Sequence, residues 1–158
     1  MNENAPDVRV DPPRTVVVEG SAAAFRQSVR VGRHEIVGDE PLAAGGSDAG
    51  PTPYDLLLAA LGTCTSMTVG LYARRKRWPL ESVRVRLRHG RAHAADCADC
   101  EKPGAMVERI DVEIELAGAL EPAQRARLLE IAGRCPVYRT LTSRIEIHET
   151  LAEARETA

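Results

Sequence analysis

One long apolar stretch dominates the hydrophobic pattern of the chain. Residues 50–78 read GPTPYDLLLAALGTCTSMTVGLYARRKRW, and no residue from Leu56 to Tyr72 is charged. Apolar residues on nearly every side predict a helix that is buried on most of its surface. A membrane-spanning helix is the rival interpretation. The uncharged run is slightly short for a span, however, and small and hydroxyl-bearing residues interrupt it.

Both ends of this stretch carry signals that delimit a helix. Thr52 is a typical N-cap, Pro53 fits the first turn, and Asp55 is placed to bond back to the cap. Four basic residues at 74–77 complement the negative end of the helix dipole. The sequence therefore predicts a helix with a sharp start and a basic end.

Short alternating or β-branched segments on both sides of the helix predict strands. These segments are 14–19, 25–31, 34–37, 82–88, 107–116 and 144–148. Gly32-Arg33 is expected to turn the chain between the second and third strands. Segments 82–88 and 107–116 alternate arginine and acidic residues with apolar ones, so they are expected to pair with matching charges on one face.

A second helix is predicted over 121–133, with Leu128, Leu129 and Ala132 as its buried stripe. Cys135 directly precedes Pro136, which fits the first position of another short helix and makes Cys135 its cap. Strands in runs with helices between them indicate an α+β fold.

The organisation along the chain predicts a single domain over 14–151. A polar, proline-containing segment at 1–13 is expected to form a flexible N-terminal arm, and 152–158 a frayed tail. A glycine-rich loop is predicted over 39–50, where glycine allows close approach of the backbone.

Composition excludes several function classes. The 158 residues are 44% hydrophobic and 28% charged, which is ordinary for a soluble protein. A net charge of −2 gives no reason to expect nucleic acid or a membrane surface as partner, and 3% aromatics cannot build a base-stacking platform. Four cysteines without a secretion signal predict a cytoplasmic protein with reduced thiols.

Cys64 and Cys135 are the candidate reactive residues. Cys135 is expected at a helix start, where free N–H groups favour a thiolate, and Arg139 can add positive charge one turn later. Cys64 lies within the long helix and would need a cation brought to it by the fold. Held close together, one thiol would attack a peroxide and the other would capture the sulfenate as a disulfide. The alternative is that both cysteines only pack in the core.

A second group of chemically active residues lies in the segment HGRAHAADCADC. His89, His93, Cys97 and Cys100 form a complete Cys₂His₂ set, in which the two cysteines are separated by two residues as in many zinc sites, although most zinc-binding pairs are separated by a longer spacer. The segment is expected to leave a strand and enter a loop, where ligands can converge. A redox dithiol formed by Cys97 and Cys100, or a set of solvated side chains, are the alternatives.

The long helix with Cys64 and the later segment GRCPVYRTL resemble the OsmC/Ohr family of osmotically induced and organic-hydroperoxide-resistance proteins. The resemblance covers residues 14–151. It implies an intertwined homodimer in which long central helices pack between antiparallel sheets that take strands from both subunits. It also implies reduction of organic hydroperoxides in oxidative-stress defence, with Cys64 peroxidatic and Cys135 resolving. The implied reductant is a dithiol such as a lipoylated protein, with no cofactor required.

The chain departs from the family pattern at the position of an activating Glu and in the segment GSAAAFRQS around Arg26. Peroxidases of the family carry a Glu directly after the proline that starts the long helix, paired with an Arg beside the thiolate. Here Tyr54 occupies that position and Asp55 follows. Arg26 is the nearest candidate for the family Arg, and Arg30 and Arg33 are further candidates. The chain is thus similar to the uncharacterised OsmC-like branch. A non-catalytic dimer that binds a small hydrophobic ligand or a metal is the alternative function.

Overall fold

The computed structural model describes residues 15–93 and 106–153. The strands are β1 Val16–Gly20, β2 Gln27–Val31, β3 His34–Gly38, β4 Ser82–His93 and β5 Met106–Ala117. The helices are α1 Pro53–Lys76, α2 Pro122–Ala132 and α3 Pro136–Leu141. Helices combined with antiparallel sheets confirm the predicted α+β class. The predicted arm at 1–13 and residues 154–158 of the predicted tail lie outside the described residues.

Contacts along the chain divide it into two units, Met1–Leu57 and Leu58–Ala158, with the division inside α1. Each unit is described by itself. The single domain over 14–151 stays a prediction.

The first unit contains an antiparallel sheet with the strand order β1-β2-β3. Val31 pairs with His34, so only Gly32 and Arg33 connect β2 to β3, as predicted. Gly32 has a φ of 60°, a conformation that is easily reached only without a side chain. The hairpin therefore depends on glycine at this position.

The loop after β3 is organised around the buried carboxylate of Asp39. One of its oxygens accepts the backbone N–H of Glu40 at 2.9 Å. The other accepts the Ser47 hydroxyl at 2.6 Å and the backbone N–H groups of Ser47 and Ala49, each at 3.1 Å. These hydrogen bonds, with the Ser47 hydroxyl first, lower the pKa of Asp39 from 3.8 to about 2.

Two glycines let this loop fold back tightly on the chain before it. A Cβ on Gly46 would lie 1.8 Å from the carbonyl oxygen of Glu40, and one on Gly50 would lie 2.1 Å from that of Val37. The predicted close backbone approach is thus made to the protein's own chain. Asp39 and these glycines together fix the path that leads into α1.

Asp39→Asn is expected to lower the urea midpoint of unfolding at about pH 7, because the amide offers one accepting oxygen and no charge. Folding lowers the pKa of Asp39, so the ionised carboxylate stabilises the folded state. This contribution to the free energy of unfolding is full above about pH 3.8 and is lost as the pH falls toward 2. The deficit of the variant should therefore shrink over that range, measured by circular dichroism.

Asp48→Asn is the matched control, since Asp48 lies in the same loop, is exposed, and has a φ of 55° that asparagine tolerates. It should change the midpoint little at any pH. An Asp39→Asn deficit that persists undiminished near pH 2 would contradict the assignment.

The second unit contains a two-stranded antiparallel ribbon made of β4 and β5. Both strands are longer than predicted, because pairing extends from Ser82↔Ala117 to His93↔Met106. On the exposed face, Arg86 pairs with Glu113 at 3.0 Å and with Glu115 at 3.3 Å. The predicted match of charges between the two strands is confirmed.

The apolar face of the ribbon and α2 cover one side of α1. The buried residues of α1 recur every fourth position at Leu61, Thr65, Val69 and Ala73. Gly62 lets α1 approach the ribbon closely, since a Cβ there would lie 2.8 Å from the side chain of Leu87. Val69 and Ala73 join Leu120, Leu128 and Ala132 in the core cluster of this unit.

The prediction that α1 is buried on most sides is wrong for the single chain. Only one face of α1 has packed neighbours in the second unit, and Met67 on the opposite face is 72% exposed. By length and composition α1 would also pass as a membrane-crossing helix, a test that core helices of soluble proteins pass as well. An apolar face of α1 is thus left uncovered by the residues that the structure describes in this unit.

Two smaller predictions also fail. Leu129 is 62% exposed, because the buried stripe of α2 is Leu128, Ile131 and Ala132 at i, i+3 and i+4. Residues 144–148 form no strand, since no neighbouring strand is paired with them in the described chain. The alternating Ile145 and Ile147 are left exposed.

Candidate functional site

The start of α1 is held by a reciprocal cap between Thr52 and Asp55. The backbone N–H of Asp55 donates to Thr52 Oγ1 at 3.2 Å, and the Asp55 carboxylate accepts the Thr52 N–H at 3.0 Å and its hydroxyl at 2.8 Å. The Thr52 hydroxyl, followed by its N–H, lowers the pKa of Asp55. Asp55 is therefore committed to capping, as the sequence predicted.

Cys135 is the N-cap of α3. Its sulfur accepts the backbone N–H of Tyr138 at 3.2 Å, and Pro136 occupies the first helical position as predicted. The backbone N–H of Arg139 completes the first turn by donating to the Cys135 carbonyl at 3.1 Å. The side chain of Cys135 is fully buried. The helix start thus aims a backbone donor at a sulfur that water does not reach.

A second donor reaches the same sulfur from α1. The hydroxyl of Thr65, itself buried, lies 3.5 Å from Cys135 Sγ. Thr65 directly follows Cys64 in the chain. The fold therefore brings Cys135, which is 71 positions away in sequence, to the turn of α1 that bears Cys64.

Cys64 lies at the flank of α1. Successive residues of a helix are about 100° apart around its axis, so Cys64 does not share the buried face of Thr65. Its side chain is half-buried, whereas that of Cys135 is inaccessible, and both are free thiols. The predicted burial of the long helix on most of its surface would have enclosed Cys64 more fully. The observed flank position gives it more access to small solutes than Cys135 has.

A small apolar cavity of about 200 Å³ adjoins the two groups that donate to Cys135. Both Thr65 and Tyr138 line it. Its other walls include Leu61, Val112, Ile114 and Leu129. A cavity of this volume and lining suits a short hydrocarbon group better than a charged ligand.

The arginines predicted as activating groups all belong to the first unit. Arg26 is exposed and lies just before β2, Arg33 is in the exposed hairpin turn, and Arg30 is paired with Glu19 at 2.8 Å. Tyr54 is in the first turn of α1 and is about half exposed. The role of Arg26 toward Cys64 stays a prediction.

The predicted His/Cys cluster is only partly described. His89 lies within β4 rather than in a loop, and its Nε2 is 2.6 Å from the Glu108 carboxylate. The backbone of His93 is also in β4, while Cys97 and Cys100 lie outside the described residues. No group of three or more metal-binding side chains occurs within 15–93 and 106–153. The cluster stays a prediction.

Comparison with known proteins bears on this arrangement of two cysteines. A sequence profile described as OsmC-like protein matches residues 45–150, which include both Cys64 and Cys135. The chain belongs to the OsmC-like family. The predicted family membership is confirmed, although no curated protein matches the chain.

Solved structures show that the OsmC-like fold extends over most of the chain. An OsmC-like protein from Mycoplasma pneumoniae is 18% identical, with 83% of this chain and 88% of that chain covered and a TM-score of 0.65. The organic hydroperoxide resistance protein OsmC from Legionella pneumophila is 17% identical, with 85% of this chain and 92% of that chain covered and a TM-score of 0.62. The organic hydroperoxide resistance protein OhrB of Bacillus subtilis is 14% identical, with 82% of this chain and 90% of that chain covered and a TM-score of 0.58.

Thr65 is the residue of this candidate site that sequence reasoning missed. It is one of two buried polar side chains among the described residues. The available signal was its position four residues after Leu61 and four before Val69, on the stripe that the helix buries. A hydroxyl on such a stripe requires a partner in the core.

The capping role of Cys135 predicts different effects for two substitutions. Cys135→Ser keeps an N-cap acceptor for the Tyr138 N–H and should retain or slightly raise stability. Cys135→Ala removes the acceptor and should be about 1 kcal/mol less stable than the serine variant. Urea unfolding of the two variants measures this difference. Equal stability of the alanine and serine variants would contradict the cap.

Proposed function

We propose that this OsmC-like protein is a thiol-dependent peroxidase that reduces organic hydroperoxides in oxidative-stress defence. The main observation in support is the contact of 3.5 Å between Cys135 and Thr65, the residue after Cys64. The names of the similar structures from Legionella pneumophila and Bacillus subtilis, both organic hydroperoxide resistance proteins, agree with this class of substrate.

In the first step the Cys64 thiolate attacks the distal oxygen of the hydroperoxide. A sulfur–oxygen bond forms, the oxygen–oxygen bond breaks, and the alkoxide leaves as the alcohol after taking a proton. Cys64 becomes a sulfenic acid. The half-buried position of Cys64 supports its assignment as the first nucleophile, because Cys135 is enclosed.

In the second step the sulfur of Cys135 attacks the sulfenic acid of Cys64, which releases water and forms a disulfide. A dithiol, such as that of a lipoylated protein, then reduces the disulfide in two exchange steps and is itself oxidised. The cycle needs no metal or flavin. The apolar cavity beside Thr65 and Tyr138 offers space for the hydrocarbon part of a substrate or reductant.

A homodimer in the cytoplasm completes the proposal. The uncovered face of α1 presents Met67 at 72% and Leu71 at 42% exposure, with Thr63 and Gly70 as small neighbours. Small residues allow a second helix to approach closely, and an apolar helix face of this kind is costly to leave in water. A second copy of α1 would cover it.

The reduced protein, with Cys97 and Cys100 replaced by Ser, should consume one equivalent of cumene hydroperoxide and form a Cys64–Cys135 disulfide. Peptide mass spectrometry identifies the bond. Cys64→Ser should lose the activity because the attacking sulfur is absent. Cys135→Ser should retain the first step and accumulate a sulfenic acid on Cys64 that dimedone traps.

Circular dichroism provides the control that each variant is folded. If Cys64 of the folded protein remains reduced in excess hydroperoxide, the enzymatic proposal is wrong. A disulfide that forms only between molecules, at a rate that falls when the protein is diluted before oxidation, would refute the role of Cys135 as resolving residue.

The alternative proposal is a non-catalytic dimer that binds a small hydrophobic ligand or a metal. Two observations favour it: the apolar cavity in the second unit, and Tyr54 at the position where family peroxidases carry a Glu. In its metal form, His89, His93, Cys97 and Cys100 would hold zinc, and the zinc would be structural.

This alternative predicts about one zinc per chain in protein purified without chelator, measured by atomic emission. Cys97→Ser should lose the metal because it removes a thiolate ligand, whereas the matched Cys64→Ser should keep it. If the purified protein contains no metal, the version of this alternative in which the four residues hold zinc is eliminated. For the ligand form, native mass spectrometry should detect a bound apolar molecule, and its absence would count against a resident ligand.

A further inference from the structure

The hydroxyl of Thr65 differs from that of its neighbour Thr63. Thr63 is exposed, and its Oγ1 donates to the carbonyl oxygen of Ala59 within the same helix at 2.7 Å. Thr65 is 3% exposed, and its Oγ1 instead donates to Cys135 Sγ. A buried hydroxyl without a partner would be costly, so this contact constrains both side chains.

The sulfur of Cys135 therefore receives donors from two different helices. The Tyr138 N–H reaches it from α3 and the Thr65 hydroxyl from α1. Because Cys135 is fully buried, water cannot replace either donor. A reduced sulfur, above all an ionised one, accepts hydrogen bonds better than the uncharged sulfur of a disulfide. Both donors thus favour the reduced form of Cys135.

Disulfide formation also requires a change of geometry. The two sulfurs must come within about 2.05 Å of each other. Cys64 and Thr65 project from α1 about 100° apart, so a Cys135 sulfur that bonds to Cys64 turns from the Thr65 hydroxyl toward the flank of the helix. The contact with Thr65 is weakened as the disulfide forms.

We infer that Thr65 is a positioning residue that holds Cys135 reduced and thereby sets the redox equilibrium of the Cys64–Cys135 pair. The inference rests on the proposed function, in which the sulfurs of Cys64 and Cys135 form the disulfide. A donor that stabilises the reduced form makes the disulfide more oxidising, and a dithiol then reduces it more readily. Thr65 would act on the recycling of the protein, through Cys135, without touching the peroxide.

The protein is equilibrated with mixtures of lipoamide and dihydrolipoamide. In this exchange the reduced protein and lipoamide are the reactants, and the protein disulfide and dihydrolipoamide are the products. Cys97 and Cys100 are replaced by Ser so that only two sulfurs react. Thr65→Val keeps the side-chain shape and removes the hydroxyl. We expect it to shift the equilibrium about tenfold toward the protein disulfide, or about 30 mV for a two-electron couple.

Two matched variants separate the hydrogen bond from packing. Thr65→Ser keeps the hydroxyl, loses a methyl group, and should restore the equilibrium of the parent protein. Thr140→Val makes the same change at an exposed position of α3, where the hydroxyl donates to the Pro136 carbonyl oxygen, and should leave the equilibrium unmoved. Alkylation after acid quench, followed by mass spectrometry, counts the free thiols at each ratio of dithiol to disulfide.

The outcomes distinguish this inference from the proposed function. An unchanged equilibrium for Thr65→Val, or an equal shift for Thr65→Ser, would overturn the role of Thr65 and leave the peroxidase proposal intact. If the parent protein forms no Cys64–Cys135 disulfide at any ratio, both are overturned. A change in thermal stability alone, with the redox equilibrium unmoved, would show that Thr65 only packs.

Discussion

The need of buried polar groups for partners is the constraint on which the second unit depends. The Thr65 hydroxyl and the Cys135 sulfur are both removed from water, and each satisfies the other. Because Thr65 is fixed on α1 and Cys135 starts α3, this one contact ties the two helices together in a defined register. The same contact places Cys135 beside the turn of α1 that bears Cys64, so the packing of the two helices also sets the positions of the two cysteines.

Much of the fold could be predicted from local signals. The cap at Thr52 and Asp55, the turn at Gly32 and the Cys-Pro helix start are each determined by a few adjacent residues, and all were confirmed. The alternating charges of β4 and β5 also indicated their pairing, because the residues on one face of the ribbon are exposed and those on the other are mostly half-buried.

Features that depend on contacts distant in sequence were harder to predict. Leu129 looks like a core residue by type, but helical geometry turns it away from the stripe formed by Leu128 and Ala132. Segment 144–148 has a strand pattern without a paired neighbour, and pattern alone cannot supply one. For the site, residue type identified both cysteines, whereas the contribution of Thr65 became visible only once α3 was folded against α1.

The charge order on the outer face of the ribbon has a consequence for how the two strands find each other during folding. A slip by one residue would expose the apolar face, which is costly. A slip by two residues in one direction keeps the faces but places Arg88 opposite Arg109, in place of its native neighbour Asp111. Like charges repel at such a position. The order of charges thus disfavours the two-residue slip in this direction, and the apolar face disfavours slips by one residue.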